Sequence, residues 1–189
     1  MPIANINGVD LNYEVSGQGP AVVFLHGYTG STQDWANQIR VLSPQYQVIA
    51  LDHRGHGKSA APSEEEDYSV EILATDTFGL LNMLGITKCC LGGHSLGGFT
   101  TLQFAVEHQD MLAGLVLVDT SSGQFGRDTN DVRIPVKTAT CPGQTGHPEG
   151  GGMARGRNSL TQFISHLQQP PFPRFSCSLP VTLCAWNHL

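Results

Sequence analysis

Apolar and polar positions follow two alternating patterns along the first 120 residues. Short apolar runs bounded by turn residues are typical of buried strands, and apolar residues three and four positions apart are typical of amphipathic helices. The predicted strands cover residues 9–15, 21–25, 46–51, 88–91 and 112–118. The run 21–25 is continuously apolar, which indicates a strand covered on both faces.

Helical spacing lies between these strands. Ser31 or Thr32 and, further on, Ser69 are predicted N-caps, because their hydroxyl groups can accept hydrogen bonds from the first free N–H groups of a helix. A third helix is predicted from Leu96 to about Glu107. Strands separated by helices imply right-handed crossovers and a parallel sheet. The predicted fold class is therefore α/β, a mostly parallel sheet flanked by helices.

Composition excludes several classes of protein. The 189 residues suit one domain, and 40% hydrophobic with 14% charged residues is unlike a disordered chain. A net charge of −6 without clustered Lys and Arg argues against nucleic-acid binding, and no apolar run is long enough to span a membrane. No basic segment followed by an apolar one begins the sequence, so we expect a cytoplasmic location. Five cysteines without CxxC spacing predict neither a disulfide framework nor a zinc site.

The charge changes sign along the chain. Residues 1–120 have a net charge of −9 and residues 121–189 a net charge of +3, and the second part carries 7 of the 11 prolines. Such proline density disfavours continuous helices and central strands. We therefore expect a core over residues 1–121 and an atypical Pro- and Gly-rich tail over residues 122–189.

The motif Gly93-His94-Ser95-Leu96-Gly97 has the pattern G-x-S-x-G between a predicted strand and a predicted helix. In that context the pattern makes a nucleophile elbow, a sharp turn that lifts the serine hydroxyl above the sheet. The start of the helix favours a developing negative charge beside the hydroxyl. Ser95 is thus the candidate nucleophile, and the alternative is a glycine-rich turn that contains a serine.

A second motif, His26-Gly27-Tyr28-Thr29-Gly30, directly follows the strand 21–25. A loop there can aim a backbone N–H at the carbonyl oxygen under attack, and the residue after the serine supplies the second donor. The backbone amides of Tyr28 and Leu96 are the candidate oxyanion-hole donors. For the His26 imidazole we expect hydrogen bonds to the backbone instead.

The third motif is the segment 52–59, Asp-His-Arg-Gly-His-Gly-Lys-Ser, after another strand. Its glycine spacing matches neither phosphate-binding pattern, so we expect a loop fixed by a bond between Asp52 and Arg54. His53 and His56 lack the further ligands that a metal would need. No metal and no cofactor is expected.

Together, H-G-x-x-G, D-x-R-G-x-G-x-S and G-H-S-x-G-G resemble the α/β-hydrolase superfamily, and within it the serine esterases, enol-lactonases and cofactor-free haloperoxidases. The resemblance implies that Ser95 attacks a small-molecule acyl substrate and forms an acyl-enzyme. Epoxide hydrolases and dehalogenases of this fold use an aspartate nucleophile, so the serine disfavours those activities.

The resemblance also implies an acid and a histidine that complete a triad, usually after the seventh and eighth strands and beyond a helical cap. Asp119, after the sixth strand, is the candidate acid, with a loop-bonded aspartate as the alternative. His147 is the candidate base, ahead of His166 and His188. The segment 179–186 can imitate a seventh strand, and no eighth strand follows it.

Two hypotheses for function stay open. The first is an active serine hydrolase. The second is a catalytically inactive, hydrolase-like protein that at most binds a ligand or a partner, with a tail that is truncated, frame-shifted or alternatively spliced. The resemblance implies that the cap and the pocket beneath it set substrate selectivity, and neither substrate identity nor oligomeric state follows from the sequence.

Overall fold

In the computed structural model, which describes residues 2–120, 137–138 and 180–184, the described strands form one sheet in the order β1-β2-β4-β3-β5-β6-β8-β7. The first two strands are antiparallel to their neighbours, and every pairing from β4 onward is parallel. The strands are β1 (Ile3–Ile6), β2 (Val9–Ser16), β3 (Ala21–Leu25), β4 (Gln47–Leu51), β5 (Cys89–His94), β6 (Leu112–Val118), β7 (Lys137–Thr138) and β8 (Pro180–Cys184).

Three α-helices connect the described strands: α1 (Ala36–Leu42), α2 (Val70–Met83) and α3 (Leu96–Glu107). A 3₁₀ turn, Thr32–Trp35, leads into α1, and its N-cap Ser31 forms a capping box with Asp34. Ser69 caps α2 by accepting a hydrogen bond from the N–H of Ile72 at 3.2 Å. The predicted N-caps Ser31 and Ser69 are therefore confirmed.

Apolar side chains cover both faces of the sheet at its central strand β3. In β3, alternate residues enter two separate clusters: Val23 and Leu25 pack on the face of α2 and α3, whereas Val22 and Phe24 pack on the face of α1. Phe24 stacks on Trp35 with a ring separation of 4.5 Å. Burial on both faces is the reason that this strand reads as a continuous apolar run.

The predicted elements agree with the structure apart from three strands. Strands β1 and β7 were not predicted, and β5 extends through the two glycines to His94 where the prediction ended at Leu91. Strand β8 lies inside the segment 179–186 and pairs in parallel with β6. Among the described residues, no helix combines the length and the apolar character that crossing a membrane requires.

Candidate active site

Ser95 lies at the sharp turn between β5 and α3. Its backbone has φ +49° and ψ −109°, a conformation that residues with a side chain rarely adopt. The Ser95 N–H donates to the carbonyl oxygen of Val118 at 2.9 Å, which ties the turn to the end of β6. Strained backbone of this kind persists only when the surrounding structure holds it, and it concentrates at functional sites.

The glycines around Ser95 are required because a Cβ at each position would overlap neighbouring atoms, which belong to the backbone at Gly93 and Gly97 and to a side chain at Gly98. A Cβ on Gly93 would overlap the carbonyl group of Gly97, and a Cβ on Gly97 would overlap the carbonyl oxygen of Leu25. A Cβ on Gly98 would lie 2.5 Å from the Cβ of Thr120. The G-x-S-x-G-G pattern is therefore the one that lets α3 begin this close to β3 and β5.

The loop that follows β3 lies beside the Ser95 turn. Strands β3 and β5 pair in parallel with Leu25 opposite Gly93, so their carboxyl ends meet at one edge of the sheet. The loop is closed by a hydrogen bond from the Gly30 N–H to the Gly27 carbonyl at 3.0 Å. Tyr28 in this loop is 72% exposed. The structure thus brings together the two segments that carry the Tyr28 and Leu96 amides.

The expectation for His26 is confirmed. Its Nδ1 lies 2.7 Å from the carbonyl oxygen of Gly27, and its Nε2 lies 3.0 Å from the backbone nitrogen of His53. Because the His53 N–H can only donate, Nε2 accepts and Nδ1 carries the proton. Burial lowers the pKa of His26, so the imidazole stays in this neutral form.

The prediction of a bond between Asp52 and Arg54 is wrong. Arg54 instead pairs with Asp76 of α2, with Nε to Oδ2 at 2.7 Å and Nη2 to Oδ1 at 2.8 Å. The Asp52 carboxylate accepts hydrogen bonds from the N–H groups of Thr32 (2.6 Å) and Lys58 (2.9 Å) and from the Asn12 amide. Both Asp52 carboxylate oxygens accept hydrogen bonds from these donors. The Arg54 guanidinium pairs with the carboxylate on α2 instead.

His53 is 1% exposed and lies edge-on to His26 with ring centroids 4.6 Å apart. Burial, together with the neighbouring imidazoles of His26 and His56, holds the pKa of His53 well below its usual value of 6.5. Within the part of the chain that the structure describes, no group of three or more His, Cys, Asp or Glu side chains is arranged to hold a metal ion.

Asp119 directly follows β6 with φ +47°, and its Oδ2 lies 3.6 Å from the Nε2 of His94. Sequence reasoning treated His94 only as the variable residue of the motif and missed this pair. The pair follows from the register of the sheet, because His94 and Val118 are opposite each other in paired strands and Asp119 is the next residue.

The three tail histidines, His147, His166 and His188, lie outside the described residues. Among the hydrogen bonds formed within the described part, none joins Ser95 Oγ to an imidazole. The described site consists of a serine on a strained turn, candidate N–H donors in the loop after β3 and at the start of α3, and a carboxylate.

The sequence of this chain is similar to those of several known proteins. The family model described as the alpha/beta hydrolase fold matches residues 20–166. Epoxide hydrolase 3 of Xenopus tropicalis is 38% identical over 115 residues, which cover 60% of this chain and 31% of that protein. The fluoroacetate dehalogenase of a Burkholderia species is 32% identical over 120 residues, covering 62% of this chain and 40% of that protein.

Among solved structures, the enol-lactonase of Burkholderia xenovorans is similar with a TM-score of 0.59 and 33% identity, over 62% of this chain and 46% of that one. The chain spans about a third of the length of the first curated relatives that it matches. The relatives thus share one fold and differ in the reactions that their names state.

Proposed function

The chain belongs to the alpha/beta hydrolase family, and from this premise we propose that it is a serine hydrolase acting on a small carboxylic ester, lactone or related acyl substrate. The observation that carries the proposal is the strained backbone of Ser95, with φ +49°, at the start of α3. A serine held in this conformation, between glycines that admit no Cβ, has the geometry of a nucleophile elbow.

The reaction begins when Ser95 Oγ attacks the substrate carbonyl and loses its proton to a base. The carbonyl oxygen becomes negative and accepts hydrogen bonds from the N–H groups of Tyr28 and Leu96. Collapse of this intermediate breaks the bond to the alcohol, which takes the proton, and leaves an ester on Ser95. Water then attacks that ester and releases the acid. Asp119 and His147 are the proposed acid and base of the triad.

The identity of the nucleophile supports acyl chemistry over epoxide opening, although several relatives are named epoxide hydrolases. A carboxylate that opens an epoxide forms an ester, which water can hydrolyse. A serine hydroxyl that opened an epoxide would form an alkyl ether, and an ether has no carbonyl for water to attack. Ser95 completes a catalytic cycle only when the substrate itself supplies an acyl group.

Hydrolysis of p-nitrophenyl acetate tests the proposal. We expect turnover by the full chain, loss of turnover in Ser95→Ala, and unchanged turnover in Ser63→Ala, because Ser63 is an exposed serine outside the site. Styrene oxide serves as the competing substrate. Hydrolysis of the epoxide without hydrolysis of the ester would overturn the proposal. Thermal stabilisation by the ester without turnover would support the binding-only alternative.

A further inference from the structure

The His94 ring packs against the loop that carries one proposed oxyanion donor. A Cβ built on Gly27 would lie 2.7 Å from Nδ1 and 3.2 Å from Cε1 of His94, so the imidazole occupies the space that a side chain at position 27 would need. The peptide that follows Gly27 carries the N–H of Tyr28. The ring therefore lies next to the peptide whose direction decides where that N–H points.

The same ring is approached from the other side by Asp119. Its Oδ2 lies 3.6 Å from His94 Nε2, and the two side chains are 17% and 36% exposed. Asp119 is itself held at φ +47° after β6. His94 thus lies between the end of β6 and the loop after β3, and Ser95 and Leu96 follow it directly in the chain.

We propose that His94 is a positioning residue, which sets the distance between the Gly27–Tyr28 peptide and the Ser95 turn, and that the Asp119 carboxylate orients the His94 ring in addition to its proposed place in the triad. This inference rests on the proposed serine-hydrolase function. Donors to a developing oxyanion must be in place before the reaction, and a displacement of about 1 Å can cost about a hundredfold in rate. A ring packed on the Gly27 backbone prevents such a displacement.

The test compares His94→Ala with His108→Ala in the full chain. His108 is a matched control, because its imidazole is also partly buried near a carboxylate, 3.9 Å from Glu107, but lies about 18 Å away at the other end of α3. We expect His94→Ala to lower kcat for p-nitrophenyl acetate, and the rate of Ser95 labelling by a fluorophosphonate, by about tenfold to about a hundredfold. KM should change much less, and His108→Ala should leave both rates unchanged.

His94→Gln keeps a planar polar side chain and should recover part of the lost rate, which also covers the case in which His94→Ala does not fold. A double-mutant cycle separates positioning from a triad role for Asp119. If the carboxylate also acts through His94, Asp119→Asn lowers the rate by a smaller factor in His94→Ala than in the wild type. Equal losses in both backgrounds would overturn the inference.

Hydrogen exchange decides the inference even if the chain proves inactive. The Gly30 N–H is bonded to the Gly27 carbonyl in the loop that His94 contacts. We expect faster exchange of this amide in His94→Ala and wild-type exchange in His108→Ala. Wild-type exchange in His94→Ala would overturn the positioning role. If the Gly30 amide exchanged faster in His94→Ala but the fluorophosphonate did not label Ser95 in the wild type, only the proposed function would be contradicted.

Discussion

The backbone N–H of Ser95 donates to the carbonyl oxygen of Val118 at 2.9 Å, so the nucleophile turn is anchored to the neighbouring strand β6. Without such an anchor the turn would relax, because a positive φ is unfavourable for any residue that carries a Cβ. The strained backbone conformation of Ser95 is therefore maintained at the expense of local stability.

Replacement of Ser95 by glycine should expose this strain. Ser95→Gly and Ser95→Ala both remove the hydroxyl group, but only glycine adopts φ +49° without a steric penalty. We expect Ser95→Gly to be about 1 kcal/mol more stable than Ser95→Ala, although both are inactive. Urea unfolding of the two variants measures the difference. An alanine variant as stable as the glycine variant would show that the turn is unstrained.

Gly97→Ala should be strongly destabilising, because the new Cβ would overlap the carbonyl oxygen of Leu25 in a central strand. We expect a loss of about 3 kcal/mol in the free energy of unfolding. Gly85→Ala is the matched control, since Gly85 has φ +70° but nothing within 4 Å of its Cβ position. The control should lose about 1 kcal/mol, from backbone strain alone. Similar losses in the two variants would contradict the close approach of α3 to β3.

Asp76→Asn tests the buried ion pair with Arg54, whose two side chains are only 5% and 2% exposed. The change leaves the guanidinium charge buried and unpaired, so we expect a loss of about 3 kcal/mol or more. Asp67→Asn is the control, because Asp67 accepts from Arg54 only through its backbone carbonyl. Thermal unfolding compares the two. A large loss of stability in Asp67→Asn with none in Asp76→Asn would show that Arg54 depends on the Asp67 carboxylate and not on Asp76.

His53 should make the folded state sensitive to acid. Burial holds its pKa well below 6.5 in the folded protein, whereas the unfolded chain titrates near 6.5. Below that pH the unfolded state binds more protons, so stability is present above about pH 6.5 and is lost as the pH falls towards the folded pKa. In His53→Phe the free energy of unfolding should fall less steeply between about pH 6.5 and about pH 5. Parallel pH curves for wild type and variant would contradict the shifted pKa.

Most of the fold was predictable because buried positions are apolar, and the spacing of apolar residues can be read from the sequence. Strand β3 is apolar throughout since both of its faces are covered, and α3 was predicted with its observed bounds. Strand β1 was missed because it has four residues, and Ile3 at its start is 61% exposed. The end of β5 was missed because Gly92 and Gly93, which the turn requires, are poor strand formers.

Only the parts of the site formed by residues close together in the sequence were predictable. Ser95 followed from a five-residue motif whose glycines the turn itself requires. The partner of Arg54 was mispredicted because Asp76 lies 22 positions away on a helix, and Asp52 was the nearer carboxylate in sequence. The contact between His94 and Asp119 escaped prediction for the same reason, since it depends on which strands are neighbours and in what register.

The central claim is that Ser95 is an activated nucleophile. The most direct test is to treat the folded full chain with a fluorophosphonate probe and locate the label by peptide mass spectrometry, with Ser95→Ala and the exposed Ser63→Ala as paired controls. We predict a single label on Ser95, retained in Ser63→Ala and absent from Ser95→Ala. A wild type that is folded by circular dichroism yet unlabelled at Ser95 would contradict the account.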